Sequence, residues 1–325
     1  MYKSELASAI LAVKQAAIVC QSVQCHLINT DTLKKEDQSP VTVADFASQA
    51  IVCKTLKDTF PNDLLVGEED ATALRDTDQE TLRNGVVKHV QTIFKNTDPN
   101  TILNWIDRGN ANGTEKKRYW TLDPIDGTKG FLRNQQYAIA LALIENGQVV
   151  LGVLGCPRLE HEKTQGLLLW AIKNQGAWRM PINLKNKISQ PIAIHPIKNA
   201  SSARFCESVE SAHSRQDQAS QIASALGIHL PPVRMDSQAK YATLAQGKAE
   251  IYLRLPTRIG YQEKIWDHAA GMLILEEAGG LVTDIHGQPL NFNHGRTLKS
   301  NSGVIASAPQ IHRQVLDAVA SVLNK

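Results

Sequence analysis

Four apolar runs follow one another closely: "YWTLDPI", "YAIALALIENG", "QVVLGVLGCP" and "GLLLWAIKNQGAW". Each is strand-like, and the punctuation "ENGQ" and "NQG" predicts an antiparallel meander. Ahead of them, Leu6, Ile10, Val13, Ala17 and Cys20 form a helical stripe over residues 4 to 28. A polar stretch with Lys34, Lys35 and Asp37 leads to "VTV", read as extended, and then to an amphipathic helix from Asp45 to Phe60. "PNDLLVGEED" reads as a turn, a buried strand and an acidic cluster, and residues 71 to 118 as helix plus surface loop. From about residue 190 the pattern changes. Strand-like "PIAIH" and "AEIYLRL" alternate with helical "DQASQIASALG" and "KYATLAQG", and "IWDHAAGMLILEEAGGLVTD" reads as a helix closed by Gly-Gly before a strand. The expected fold is therefore α+β over residues 1–188, with an antiparallel sheet, joined to α/β over residues 189–325.

A chain of 325 residues suits two such domains. A net charge of +3 with scattered basic residues gives no broad footprint for a nucleic-acid polymer. Lys14 interrupts the N-terminal apolar stretch, and no uninterrupted run approaches a membrane span, so neither a signal peptide nor a membrane partner is expected. Five cysteines without framework or metal spacing suggest reduced thiols and a cytoplasmic protein, with Cys20 and Cys25 both expected to be buried.

Carboxylates punctuate the apolar runs: Asp45, the Glu68-Glu69-Asp70 cluster, Asp123 with Asp126, and Asp267. A carboxylate at the end of a buried strand is costly unless paired, and several together repel unless a cation sits among them. Hard oxygen donors without His or Cys favour Mg²⁺, Mn²⁺ or Ca²⁺ over zinc. Taken singly, Asp45 and Asp267 read as well or better as helix caps. "DPIDGT" reads equally as a turn built on Asp-Pro and Asp-Gly. Its further promise lies in geometry. Pro124 disfavours the helical region for Asp123 and should stop the strand there. The following turn can aim the Asp123 and Asp126 carboxylates and the Ile125 carbonyl at one point. Gly127 permits close backbone approach, and Thr128 can begin a helix whose N–H groups face an anion.

The segments "VGEED", "WTLDPIDGT" and "WDHAAGMLILEEAGG", in that order, resemble the metal-dependent, lithium-sensitive phosphatase superfamily of inositol monophosphatase, over roughly residues 40 to 285. The resemblance implies a layered αβαβα sandwich of the sugar-phosphatase type and two to three Mg²⁺ per site. One ion would sit on Glu68, Asp123 and the Ile125 carbonyl, a second on Asp123, Asp126 and Asp267, and a third, weaker one near Glu68. It makes Asp45 and Thr128 a dyad in which Asp45 accepts from the Thr128 hydroxyl, which orients the attacking water. Two cations stabilise both oxygens of an in-line displacement, and no covalent phospho-enzyme is needed.

Within the superfamily, "SPVTVADFASQ", "DPIDGTKGF", "DSQAKYATLAQGKAEIYLRLP" and "YQEKIWDHAAG" resemble the 3'(2'),5'-bisphosphate nucleotidase branch, with Lys129 and Gly130 where simple inositol monophosphatases usually carry Thr-Asn. That implies hydrolysis of 3'-phosphoadenosine 5'-phosphate (PAP) to AMP, and of its sulfate-bearing relative PAPS to APS, in sulfur metabolism. The alternative is an inositol (poly)phosphate 1-phosphatase. His213, Ser237, Lys240 and Arg254, together with Thr128 and Asp267, would surround the substrate. Arg suits bidentate phosphate contact, and an inward charge in "YLRLP" is unusual for a strand. His268 reads as a packing or hydrogen-bonding residue. Asp70 stands where many family members carry serine, and "ADF" replaces a glycine-aromatic pair. A monomer with a small nucleotide as its partner is expected.

Overall fold

A computed structural model describes residues 1–29, 40–161, 164–183, 188–209, 216–256 and 260–323. In chain order the helices and strands are α1 (Lys3–Asn29), α2 (Pro40–Thr59), β1 (Leu64–Gly67), α3 (Glu80–Gln91), α4 (Pro99–Ile106), β2 (Arg118–Asp126), α5 (Thr128–Leu132), β3 (Ala138–Glu145), β4 (Gln148–His161), β5 (Thr164–Ile172), β6 (Ala177–Pro181) and β7 (Gln190–Ile192). There follow β8 (Phe205–Glu207), α6 (Gln216–Ala225), β9 (Val233–Arg234), α7 (Ala239–Ala245), β10 (Ile251–Arg254), α8 (Ala269–Glu277), β11 (Leu281–Thr283), β12 (Val304–Ser307) and α9 (Pro309–Leu323).

The meander forms as expected. β2 to β7 pair antiparallel in sequence order, and β1 joins the edge parallel to β2. β7 comes from beyond the expected 188/189 boundary, yet it pairs with β6 and completes this first sheet. The second sheet has the order β11-β12-β10-β8-β9.

Strand alternation sorts β3 by size. Ile139, Leu141 and Leu143 pack with α1 and α2, whereas Ala138, Ala140 and Ala142 face the layer holding α7 and α8. The small face lets α8 approach closely: a Cβ on Gly152 of β4 would meet the Ala270 carbonyl oxygen at 2.9 Å. A third apolar cluster joins the far side of the second sheet to α6 and α9. The layers are thus helix, sheet, helix, sheet, helix, the sandwich implied by the resemblance. Cavities between such layers open at strand ends, which is where the acidic residues lie.

Three local expectations need correction. "VTV" is helical rather than extended, because α2 starts at Pro40. Proline at the first helical position has its φ already set and lacks an N–H that would be unpaired there. Asp45 therefore lies inside α2 and is not its cap. Secondly, Cys25 is exposed while Cys20 is buried; five residues along a helix of 3.6 per turn reach a different face. Thirdly, β2 does not stop at Asp123 but continues to Asp126. Asp123 pairs with Ala140 and Asp126 with Ala138, so three steps on β2 match two on β3. Pro124 sits in this bulge, where a missing N–H costs no ladder bond.

By length and composition Lys3–Cys25, with mean hydropathy 1.6, could cross a membrane. Half of that stretch is buried inside the fold. Gln15 of α1 accepts a hydrogen bond from Thr55 of α2 at 2.8 Å.

Candidate active site

The parallel pairing of β1 with β2 sets Gly67 opposite Leu122, and the Glu68 amide donates to the Leu122 carbonyl at 3.2 Å. Glu68 and Asp123 therefore leave adjacent strands side by side. The bulge brings Asp126 into the same space. Across the gap, the 3₁₀ turn Ile265–Asp267 ahead of α8 supplies Asp267. One cavity of about 390 Å³ is lined by Glu68, Asp123, Ile125, Asp126, Thr128 and Asp267 together with Lys129, Ser237, Lys240, Tyr252 and Arg254. Of the candidates, Asp45 does not line the cavity; it is buried in α2, close enough for its charge to act on Asp123. His213 lies outside the described residues.

The electrostatics record how crowded the carboxylates are. Burial, then the neighbouring Glu69, pushes Glu68 up to about 7. Burial, then Asp126, pushes Asp267 up to about 7. Burial and the charges of Glu68 and Asp126 hold Asp123 well above the usual carboxylate range, and burial with Glu69 and Glu68 does the same to Asp45. Asp126 is raised by burial but eased by Lys240 and by the Gln238 amide, which donates to its Oδ2 at 2.7 Å. Asp123 Oδ1 is buried and has no hydrogen-bond partner among the described residues. An unpaired oxygen within a ring of oxygen donors fits a hard divalent cation. Glu263, Asp267 and His268 also offer donor atoms that all lie within 4.8 Å of one another.

Lys240 is buried on α7, and desolvation lowers its pKa against the pull of Asp126. Its Nζ lies 5.2 Å from the centre of the Tyr252 ring. Thr128 is exposed to the cavity at the start of α5, and among the described residues no hydrogen bond joins it to Asp45. Gly127 caps α5 at φ 89°, and a Cβ there would come within 2.8 Å of the Ser237 Cβ. Ser237 itself has φ 69°, a conformation rare for a residue with a side chain. That turn delivers the Gln238 amide to Asp126.

Several residues that hold the site were not singled out from the sequence. Gln49 donates to the Glu69 and Ile106 carbonyls and accepts from the Glu69 amide, pinning the acidic turn after β1. It follows Asp45 by one helical turn, so spacing alone could have flagged it. Ser48 donates to the Pro124 carbonyl at 2.9 Å and fixes the bulge. Arg296 donates to the Gly67 carbonyl at 2.6 Å and to the Ala111 carbonyl at 3.0 Å, and stacks 4.7 Å from the Trp266 ring. It thereby ties the residue before Glu68 to the residue before Asp267. Its loop carries no motif that would have revealed it.

Glu68, Asp123, Asp126, Asp236 and Asp267 line one pocket together with Lys129, Lys240 and Arg254, a set of charges that suits multivalent cations and a phosphorylated anion. The chain belongs to the inositol monophosphatase family, whose model matches residues 3–324. It is 45% identical to the 3'(2'),5'-bisphosphate nucleotidase of Schizosaccharomyces pombe over 345 residues, which cover all of this chain and 97% of that one. Identity to the enzyme of the same name from Oryza sativa is 43%, covering all of this chain and 96% of that one. Among solved structures, an inositol monophosphatase from Zymomonas mobilis shares the fold with a TM-score of 0.67 at 19% identity, covering 98% of both chains. CysQ from Bacteroides thetaiotaomicron, a bacterial member of the inositol monophosphatase family, does so with a TM-score of 0.63 at 21% identity, covering 95% of this chain and 98% of that one.

Proposed function

We propose that the protein is a Mg²⁺-dependent phosphomonoesterase that hydrolyses PAP to AMP and phosphate and acts in the same way on PAPS. The observation that carries this reading is the composition of the cavity. Asp123, with its unpartnered Oδ1, sits in a ring of carboxylates, and Lys240 and Arg254 line the same space. A substrate with one phosphate would need only the first feature; the extra cations, Lys129 among them, suit a second phosphate. The names of the relatives, similar over their whole length, support the same substrate class.

Glu68, Asp123 and the Ile125 carbonyl would hold one cation, and Asp123, Asp126 and Asp267 another, with a third near Glu68. When bound, these cations supply positive charge to the phosphoryl oxygens and acidify a water. The chain's own residues would do the rest. Thr128 would orient the water with its hydroxyl and, once substrate is bound, turn that hydroxyl to donate to Asp45, a bond absent among the described residues; α2 keeps Asp45 out of solvent. Ser237, Lys240 and Arg254 would bind the remainder of the nucleotide. Tyr252 under Lys240 favours the charged ammonium at a site where burial disfavours it.

The test is phosphate release from PAP and from inositol 1-phosphate, each with Mg²⁺ and with or without added Li⁺. PAP should be strongly preferred and Li⁺ should inhibit. A wide preference for inositol 1-phosphate would refute the reading in favour of an inositol phosphatase.

A further inference from the structure

We propose that Glu263 is a positioning residue for substrate selection: it anchors the Arg254 guanidinium and thereby sets the preference for a nucleotide with a second phosphate. This rests on the functional reading above.

Glu263 lies between β10 and the turn that carries Asp267, and only 5% of it is exposed. Its Oε1 accepts from Arg254 Nε at 3.1 Å. Its Oε2 lies 3.4 Å from His268 Nε2, and His268 Nδ1 is 2.9 Å from the Tyr241 hydroxyl. Tyr241 packs edge-on against Tyr252 at 5.2 Å, the ring over which Lys240 sits. The Glu263 backbone is fixed as well, since its carbonyl accepts from the Leu298 amide at 2.8 Å. One buried chain of contacts therefore connects two of the cavity's cations, Lys240 and Arg254, and Glu263 is the member that touches Arg254. Burial alone would raise its carboxyl, but His268 and Arg254 together hold it down to about 2.

The arrangement has a use beyond stability. A buried ion pair contributes little net stability compared with apolar residues of the same size. What it does supply is geometry. A guanidinium on a flexible arm samples several rotamers and must lose that freedom on binding; held at Nε, it presents one orientation in advance. A role for Glu263 as a cation ligand fits less well, because both of its oxygens already face partners.

The experiment uses the full chain with Mg²⁺ and compares wild type, Glu263→Gln, Arg254→Gln and the double variant. The substrates are adenosine 3',5'-bisphosphate and adenosine 3'-monophosphate. Glu263→Gln should raise KM for the bisphosphate about tenfold, the loss of one charged hydrogen bond, while kcat changes far less. The ratio of kcat/KM between the two substrates should fall by a similar factor, and the double variant should be no worse than Arg254→Gln alone. Equal losses on both substrates, a loss confined to kcat, or additive effects in the double variant would overturn the inference. So would loss of the Mg²⁺-induced rise in melting temperature, which would make Glu263 a cation ligand. If Glu263→Gln does not fold, Glu263→Asp keeps the charge but draws it back by one methylene. An intermediate ratio is then expected, and a wild-type ratio overturns the inference. A wild type that turns over neither nucleotide refutes the functional reading, and this inference with it.

Discussion

Asp267→Asn should stabilise the metal-free protein at alkaline pH. In the fold, burial and then the Asp126 charge lift the Asp267 carboxyl from 3.8 to about 7. An acid whose pKa rises on folding destabilises the native state wherever the unfolded chain is ionised and the folded one resists ionisation. The penalty is absent below pH 4, grows between about pH 4 and pH 7, and is complete above pH 7. At 1.36 kcal/mol per pH step the full penalty is about 4 kcal/mol, and at pH 5 it is about 1.5 kcal/mol. The first figure is a ceiling, because Asp267 shares its proton equilibrium with Asp126 and Glu68. Asparagine has nearly the shape of the neutral acid and removes the penalty.

The assay is urea unfolding of chelator-treated protein at pH 5 and pH 8. The gain of Asp267→Asn over wild type should be larger at pH 8, by up to about 3 kcal/mol. Adding Mg²⁺ should stabilise the wild type more than the variant, since a cation that binds only the native state raises its stability by mass action. Activity should fall sharply although the variant is the more stable protein. A gain that does not depend on pH, or an equal response of both proteins to Mg²⁺, would refute the assignment of Asp267 to a charge-crowded cation site.

Other perturbations test the scaffold. Gly127→Ala, at φ 89° and 2.8 Å from the Ser237 Cβ, should cost at least about 1 kcal/mol in urea unfolding, and calorimetric titration should show weaker Mg²⁺ binding as the Gln238 amide shifts from Asp126. Arg296→Met should likewise weaken Mg²⁺ binding in the same titration with little change in KM for the nucleotide, because Arg296 spans Gly67 and Trp266 but does not line the cavity. His312 is buried between the Thr283 and Ser307 hydroxyls, at 2.9 and 2.8 Å, and burial lowers its pKa to about 4. Its unfolded form takes up a proton near pH 6.5 and its folded form only near pH 4, so stability falls as pH drops through that window. His312→Gln should flatten that part of the stability–pH curve, and an unchanged slope would show that His312 does not titrate there.

Much of the first sheet was legible because its strands are uninterrupted apolar runs with glycine-containing turns between them. The acidic residues were legible for a related reason: each follows or precedes an apolar run in the sequence, so its position survives small errors in the element boundaries. What escaped were features set by partners distant in sequence. Nothing in "VTV" shows that Pro40 begins a helix, because β-branched residues favour strands until tertiary packing decides otherwise. β12 and α9 carry none of the chemistry that draws the eye to "DPIDGT", and β8 and β9 are two or three residues long. Gln49 and Arg296 act through backbone carbonyls, and a carbonyl offers the same target whatever residue bears it.

That last group explains how the site tolerates its own repulsion. The carboxylates come from α2, from the ends of β1 and β2, and from the turn before α8, so no single element has to absorb all of the strain. Each element is then held by contacts that involve no acidic side chain: Ser48 on the Pro124 carbonyl, Gln49 on the Glu69 backbone, Arg296 on the Gly67 carbonyl, and Gln238 on the Trp266 carbonyl at 2.8 Å. Neutral or cationic side chains bound to backbone atoms keep their strength when the carboxylates change charge. The acids can therefore gain or lose protons without releasing the backbone that aims them. Raised carboxyl pKa values and an unpartnered Asp123 oxygen are the cost of that arrangement, and they persist in the folded protein because the clamps lie outside the charge cluster.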